Sequence, residues 1–164
     1  MLSDRYRVRR LGRDDVPALL SLCGGNPMYY RYCPPEVTEQ SILRDMEALP
    51  PGKQASGKYY LGYFDGDRLI AVLDLIASWP DESTAFIGFF MTDASVQNRG
   101  IGSGIIDDLC ACLLEAGFSE VRLGWVKGNP QAARFWQKNG FAETGITYET
   151  DRYSVVAARR ILRK

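Results

Sequence analysis

Three observations predict an α/β (α+β) fold in which a mixed, mostly antiparallel twisted sheet of about seven strands carries about four helices. First, the period of the apolar residues changes along the chain in the order βαα, βββ, α, β, α, ββ. Second, Gly- and Pro-rich breaks such as Asp65-Gly66, Pro80-Asp81-Glu82-Ser83 and Asn129-Pro130 fall between those segments. Third, 164 residues with 46% hydrophobic and 24% charged side chains suit one globular domain spanning residues 1–164.

Each element has a local reason. Tyr6, Val8 and Arg10 alternate with Arg7, Arg9 and Leu11, as on a short edge strand, where the arginines guard against edge pairing. Asp14 or Asp15 can cap a helix that turns Val16, Leu19, Leu20 and Cys23 inward. Cys23-Gly24-Gly25-Asn26-Pro27 breaks that helix, and a second is expected from about Pro35 to Leu49. Tyr59–Phe64, Arg68–Trp79 and Thr84–Thr92 read as three strands in series, the first two joined by a hairpin at Asp65-Gly66. A helix follows from about Gly100 to Ala116, with Gly117 as its stop. Val121, Leu123 and Trp125 alternate along a short strand. Asn129 then caps a helix with Pro130 in its first turn, and Gly140 ends it. Two closing strands are expected near Phe141–Glu149 and Tyr153–Leu162.

Composition narrows the function. Twenty Lys and Arg balance twenty Asp and Glu, so nucleic acid is not an expected partner. The chain has no His, which removes His bases, His-dependent nucleophile pairs and His-ligated metals; no metal is expected. Cys110 and Cys112, two apart on a helix, do not face each other, and the four cysteines read as small apolar residues. No long apolar span occurs and the first residues carry no apolar leader, so the expectation is a cytoplasmic protein without a membrane partner.

The most informative stretch is Gln97-Asn98-Arg99-Gly100-Ile101-Gly102-Ser103-Gly104, between a strand and a helix. Glycines there let the backbone approach a ligand closely, and the first helical N–H groups converge with the helix dipole on a phosphate or pyrophosphate. Arg99 can add an ion pair. The loop lacks the Lys-Ser/Thr of a P-loop and the third glycine of a dinucleotide fingerprint. Alone, it is equally a glycine-rich helix start packed closely on the sheet.

Two segments together carry a resemblance. The Gln-x-x-Gly-x-Gly run resembles the acyl-CoA pyrophosphate loop of the GNAT superfamily of acetyl-CoA-dependent N-acetyltransferases. Downstream, Asn129-Pro-Gln-Ala132-Ala-Arg-Phe135-Trp136-Gln-Lys138-Asn-Gly140-Phe141 is similar to that family's N-x-x-A-x-x-F-[YW]-x-K-x-G-F segment. The element order matches the family fold over essentially the whole chain. The resemblance implies acetyl-CoA as cosubstrate and central strands splayed at the CoA site. It implies pantetheine pairing at Phe90, Met91 and Thr92. The pyrophosphate would be held by backbone N–H groups of Asn98, Arg99, Gly100, Ile101, Gly102 and Ser103, with Gln97, Asn129 and Trp136 also at the cofactor. The implied partner is a small-molecule or peptide amine, acetylated by direct attack, in a monomer or homodimer.

The chain departs from the family in two places. Trp136 stands where many relatives carry the Tyr that protonates the departing thiolate, and an indole N–H is no useful acid. Gly124 stands where some relatives place a strand Glu as base. Asp74, inside the apolar run Leu69–Ala77, is the other carboxylate for that role or for binding a cationic amine; a structural ion pair is the alternative. Tyr148 and Tyr153 follow in the fold order with no hydroxyl placed by the sequence. Asn26–Tyr32 either walls an acceptor pocket or covers the sheet edge with its Tyr rings. These departures also leave open a non-catalytic acyl-CoA-binding module of the same fold.

Overall fold

In the computed structural model, which describes residues 1–164, strands β1 (Arg7–Arg10), β2 (Lys58–Asp65), β3 (Arg68–Ala77) and β4 (Thr84–Thr92) pair antiparallel in sequence order. The β2–β3 loop is Gly66-Asp67, one position beyond the Asp65-Gly66 pair. Gly66 has φ +60°, which a two-residue hairpin with Gly first requires. Strand β5 (Glu120–Val126) lies parallel to β4, and β6 (Ala142–Glu149) and β7 (Ser154–Ile161) close the sheet in the order β1-β2-β3-β4-β5-β7-β6. The one parallel crossover is helix α4 (Ile101–Glu115).

Five α-helices form, one more than expected. The addition is Pro27–Tyr32, here α2, which starts where Pro27 fits the first helical turn. It lies between α1 (Val16–Gly24) and α3 (Glu39–Glu47). Helix α3 begins later than Pro35 because Thr38 caps it: its hydroxyl accepts from Ser41 N at 3.1 Å while Ser41 Oγ accepts from Thr38 N at 2.9 Å. Leu49 consequently lies beyond the helix and is exposed. In α1 the inward residues are Val16, Leu19, Leu22 and Cys23, with Leu22 in place of Leu20. Asp15 precedes α1 but does not cap it; its carboxylate serves Gly12 N–H and Arg9.

The sheet is covered on both faces. Helices α4 and α5 (Pro130–Lys138) bury Ile105, Ile106, Leu109 and Trp136 against Leu73, Val121 and Leu123 on one face. Helices α1 and α3 bury Leu19, Leu22 and Ile42 with Tyr60, Phe64, Val72 and Met91 on the other, where Tyr29 and Tyr30 of α2 also pack. This double coverage explains why β3 reads as a nearly continuous apolar run.

Asp74 interrupts that run. It lies opposite Tyr60 of β2 and Phe89 of β4. Beside it the register slips: Asp74 faces Phe89 and Leu75 faces Ile87, so Gly88 is an extra, bulged residue of β4. A Cβ on Gly88 would come within 2.8 Å of Asp74 Oδ2, so the glycine leaves room for the carboxylate. Lys58 Nζ donates to that oxygen at 3.1 Å and to Ala48 O at 2.6 Å. Oδ1 is buried without a hydrogen-bond partner. Burial raises the Asp74 pKa from its ordinary value, and the nearby Lys58 charge only partly opposes this.

Removing one member of a buried pair strands the other. Lys58→Met is expected to lose about 3–5 kcal/mol at neutral pH, whereas Lys58→Met with Asp74→Leu recovers most of it. In Lys58→Met the lone carboxylate has a folded pKa above its unfolded value. Its proton-bound stability is present below the unfolded pKa and lost as pH rises through the folded one. The deficit therefore narrows on acidification, which urea titrations at several pH values measure.

Candidate active site

Strands β4 and β5 stay together only where Thr84, Ala85 and Phe86 pair with Glu120, Val121 and Arg122. Beyond Phe86 their facing edges part, and Ile87–Thr92 and Leu123–Val126 have no ladder between them. A cavity of about 610 Å³ borders the opened end of β4. Phe90, Met91 and Thr92 line it from β4, Gly102 and Ser103 from the first turn of α4, and Asn129, Phe135 and Trp136 from α5 and its cap. Asn26 and Tyr29 line it from the α1–α2 region, so the cavity reaches both faces of the sheet.

The loop entering α4 presents backbone rather than side chains. Asn98 has φ +60° and Gly100 has φ +77°, both left-handed, and no side chain caps the helix. Gly104 N–H makes the return bond to Gly100 O at 2.9 Å, which leaves the N–H groups of Ile101, Gly102 and Ser103 without helical acceptors. These three donors lie at the positive end of a 15-residue helix, an arrangement that can receive an anion. Gly102 has a packing reason as well: a Cβ there would lie 3.3 Å from the Phe135 ring.

The residues expected at the site divide. Asn98, Gly100, Gly102, Ser103, Phe90, Met91, Thr92, Asn129 and Trp136 all line the cavity. Asn129 is buried and its Oδ1 accepts from Ala132 N at 3.2 Å, so its cap role coexists with its place in the wall. Gln97 lines the cavity too, but its amide is engaged. It donates to Asn26 Oδ1 and to Thr92 O at 3.1 Å, while Asn26 Nδ2 donates to the same carbonyl at 3.1 Å. These bonds tie the end of β4 to the α1–α2 junction. Arg99 is exposed and Ile101 packs toward the core; neither side chain lines the cavity. Nor does Asp74, which faces Lys58.

Trp136 belongs to an aromatic cluster with Phe135 at 4.9 Å, Phe141 at 5.2 Å and Phe90 at 6.0 Å between ring centroids. Gly124 faces the β7 side, where Val155 Cγ1 stands 2.5 Å from an added Cβ. Tyr148 is exposed on β6. Tyr153, in contrast, reaches α2: its hydroxyl accepts from Cys33 Sγ at 3.4 Å, and the Tyr153 phenol is pushed up to about 12 chiefly by that contact.

Two contributors had no site role in the sequence analysis. Arg134 and Lys138 are exposed at the cavity and bring positive charge to it. Their signal was available, because residues four apart on a helix share a face. From the Asn26–Tyr32 stretch, Tyr29 also lines the cavity. Its ring sits edge-on to Tyr30 at 4.9 Å and to Phe89 at 5.6 Å, covering the α1–α3 face of the sheet rather than its edge. Burial foremost, then Cys33, holds its phenol well above the ordinary value.

The comparisons agree with this geometry. The chain superposes on an acetyltransferase from Thermus thermophilus with a TM-score of 0.76 and 20% identity, covering 96% of this chain and 97% of that one. It superposes on the ribosomal-protein-S18-alanine N-acetyltransferase of Escherichia coli with a TM-score of 0.70 and 15% identity, covering 97% and 95%. It likewise matches the PaiA N-acetyltransferase of Thermoplasma acidophilum in complex with coenzyme A, with a TM-score of 0.68 and 17% identity, covering 95% and 98%. At these identities the likeness is one of fold. No curated protein matches the chain by sequence. The model of the acetyltransferase (GNAT) family matches residues 26–141, a span that runs from Asn26 in the cavity wall to Phe141 behind Trp136, and the chain belongs to that family.

Proposed function

We propose that the protein transfers an acetyl group from acetyl-CoA to a primary amine of a small molecule or peptide, by direct attack while both are bound. The observation that carries this reading is the cavity along the splayed end of β4, continuous with a left-handed loop whose free N–H groups suit a pyrophosphate. The volume also suits a cofactor arm rather than a shallow surface contact.

Each group has a part in the reaction. Backbone N–H groups from Asn98 to Ser103 hold the pyrophosphate, and Arg134 and Lys138 neutralise phosphate charge at the rim. The unpaired edge of β4 at Phe90, Met91 and Thr92 takes the pantetheine as an added strand and polarises the acyl carbonyl. Asn129 and Trp136 wall the arm. Bound acetyl-CoA supplies a thioester carbonyl and a thiol leaving group. The protein then contributes mainly proximity and backbone dipoles. In this reading Asp74 is a positioning group that fills the space under Gly88 and supports the bulge. The cytoplasm is the proposed location; no helix is long and apolar enough to cross a membrane.

Trp136 and Gly124, in place of the family acid and base, favour a second reading: an acyl-CoA-binding module without turnover. Release of free CoA from acetyl-CoA across an amine panel separates the two.

Saturating acetyl-CoA, at about a hundredfold its Kd, is expected to raise the melting temperature by roughly 5–10 °C, while ATP and NAD leave it unchanged. The cofactor reading fails if all three behave alike. Gly102→Val pushes a branched side chain toward Phe135 and should abolish that shift without unfolding the chain. Arg134→Ala with Lys138→Ala should weaken acetyl-CoA binding about tenfold in low salt and by less in high salt, as calorimetry at two ionic strengths would show.

A further inference from the structure

We infer that the Tyr29 hydroxyl carries the proton shed by the acceptor nitrogen to the sulfur of the departing CoA. The inference rests on the acetyl-transfer reading and adds to it the group that Trp136 cannot replace.

Three observations converge on Tyr29. The first is elimination within the cavity wall. The only hydroxyl side chains that line it are Tyr29, Thr92 and Ser103. Thr92 and Ser103 stand at the loop end, at the close of β4 and in the first turn of α4. The charged liners, Arg134 and Lys138, are exposed at the rim. Of these three hydroxyls Tyr29 alone packs on the opposite, α1–α3 face of the sheet, the side left for an acceptor once the arm fills the gap between β4 and β5.

The second is rigidity. The Tyr29 ring is held edge-on by Tyr30 and by Phe89, the residue that follows the Gly88 bulge. A phenol so clamped keeps one orientation without spending side-chain entropy on the reaction. The third is a supply of exchangeable protons. The phenol faces Cys33, and the Cys33 thiol donates to the Tyr153 hydroxyl at 3.4 Å. Tyr153 lies in the turn between β6 and β7, so the row runs from the cavity across to the far hairpin. The titratable groups that face the phenol are Tyr30, Cys33 and Tyr153; none is a carboxylate or a cation. The raised Tyr29 pKa keeps the hydroxyl protonated and able to donate.

The step balances. The N–C bond forms as the C–S bond breaks. The nitrogen's proton passes to the Tyr29 oxygen while the Tyr29 proton passes to sulfur. The phenol ends as it began, and CoA leaves as the thiol.

The test needs no acceptor. Wild type and Tyr29→Phe, which keeps the ring and its contacts, are each saturated with CoA. The bound thiol is titrated by the ultraviolet absorbance of its thiolate, with desulfo-CoA as the blank. A hydrogen bond from Tyr29 stabilises the thiolate, so the bound thiol should titrate about one pH unit higher in Tyr29→Phe. Desulfo-CoA should bind both proteins equally, and both should melt alike. Identical thiol titrations in the two proteins would overturn the assignment. Failure of wild type to bind CoA at all would instead remove the acetyl-CoA reading on which it rests.

Discussion

Much of this structure follows from how little of β4 pairs with β5. Three residue pairs hold the two strands at one end, and past Phe86 the ladder stops. An open edge in the middle of a sheet leaves backbone donors and acceptors without partners, which a protein tolerates only where water or a ligand can reach them. The parting is sustained from both sides. On β4, Gly88 bulges against Asp74 and bends the strand. On β5, a complete antiparallel register with β7, from Glu120 to Val126, holds the strand away. The cavity, the glycine loop and the aromatic wall of α5 are all arranged around the resulting gap.

The Asp74–Lys58 pair has a place in that arrangement. A carboxylate on a covered strand is expensive, and its second oxygen has no partner. It sits where the sheet must deform. Lys58 reaches it from β2 while also donating to Ala48 O at the end of α3, so one ammonium joins a strand, a helix end and the bulge. Two apolar residues could pack there, but they would remove the link between α3 and the strand that bends.

The end of β4 is held by a second polar tie. Asn26 and Gln97 both donate to the Thr92 carbonyl. This anchors the α1–α2 junction beside the cavity and brings Tyr29 to its wall. A glutamine that reads as part of a phosphate loop thus acts as a brace for it. The phosphate-binding capacity belongs to the backbone of the next residues, where side-chain identity matters less than φ.

The alternation of apolar residues, the turn glycines and the N-cap at Asn129 determined the strands, the four longer helices α1, α3, α4 and α5 and the position of the loop, because these depend on neighbours within a few residues. The loop glycines and the Asn129–Phe141 segment likewise marked one wall of the site before any fold existed. What the chain alone did not decide was the other wall. Tyr29 sits about sixty residues before Phe90, in a stretch with no periodic pattern. Its contact with Phe89 exists only once α2 lies across the sheet, and the Cys33–Tyr153 contact beside it only once the β6–β7 hairpin folds back. Asp74 stood out in the sequence as a charge in an apolar run, yet its partner Lys58 lies on a different strand. Tertiary structure settled these points because burial and ion pairing depend on which surfaces meet, and residues far apart in the chain supply those surfaces.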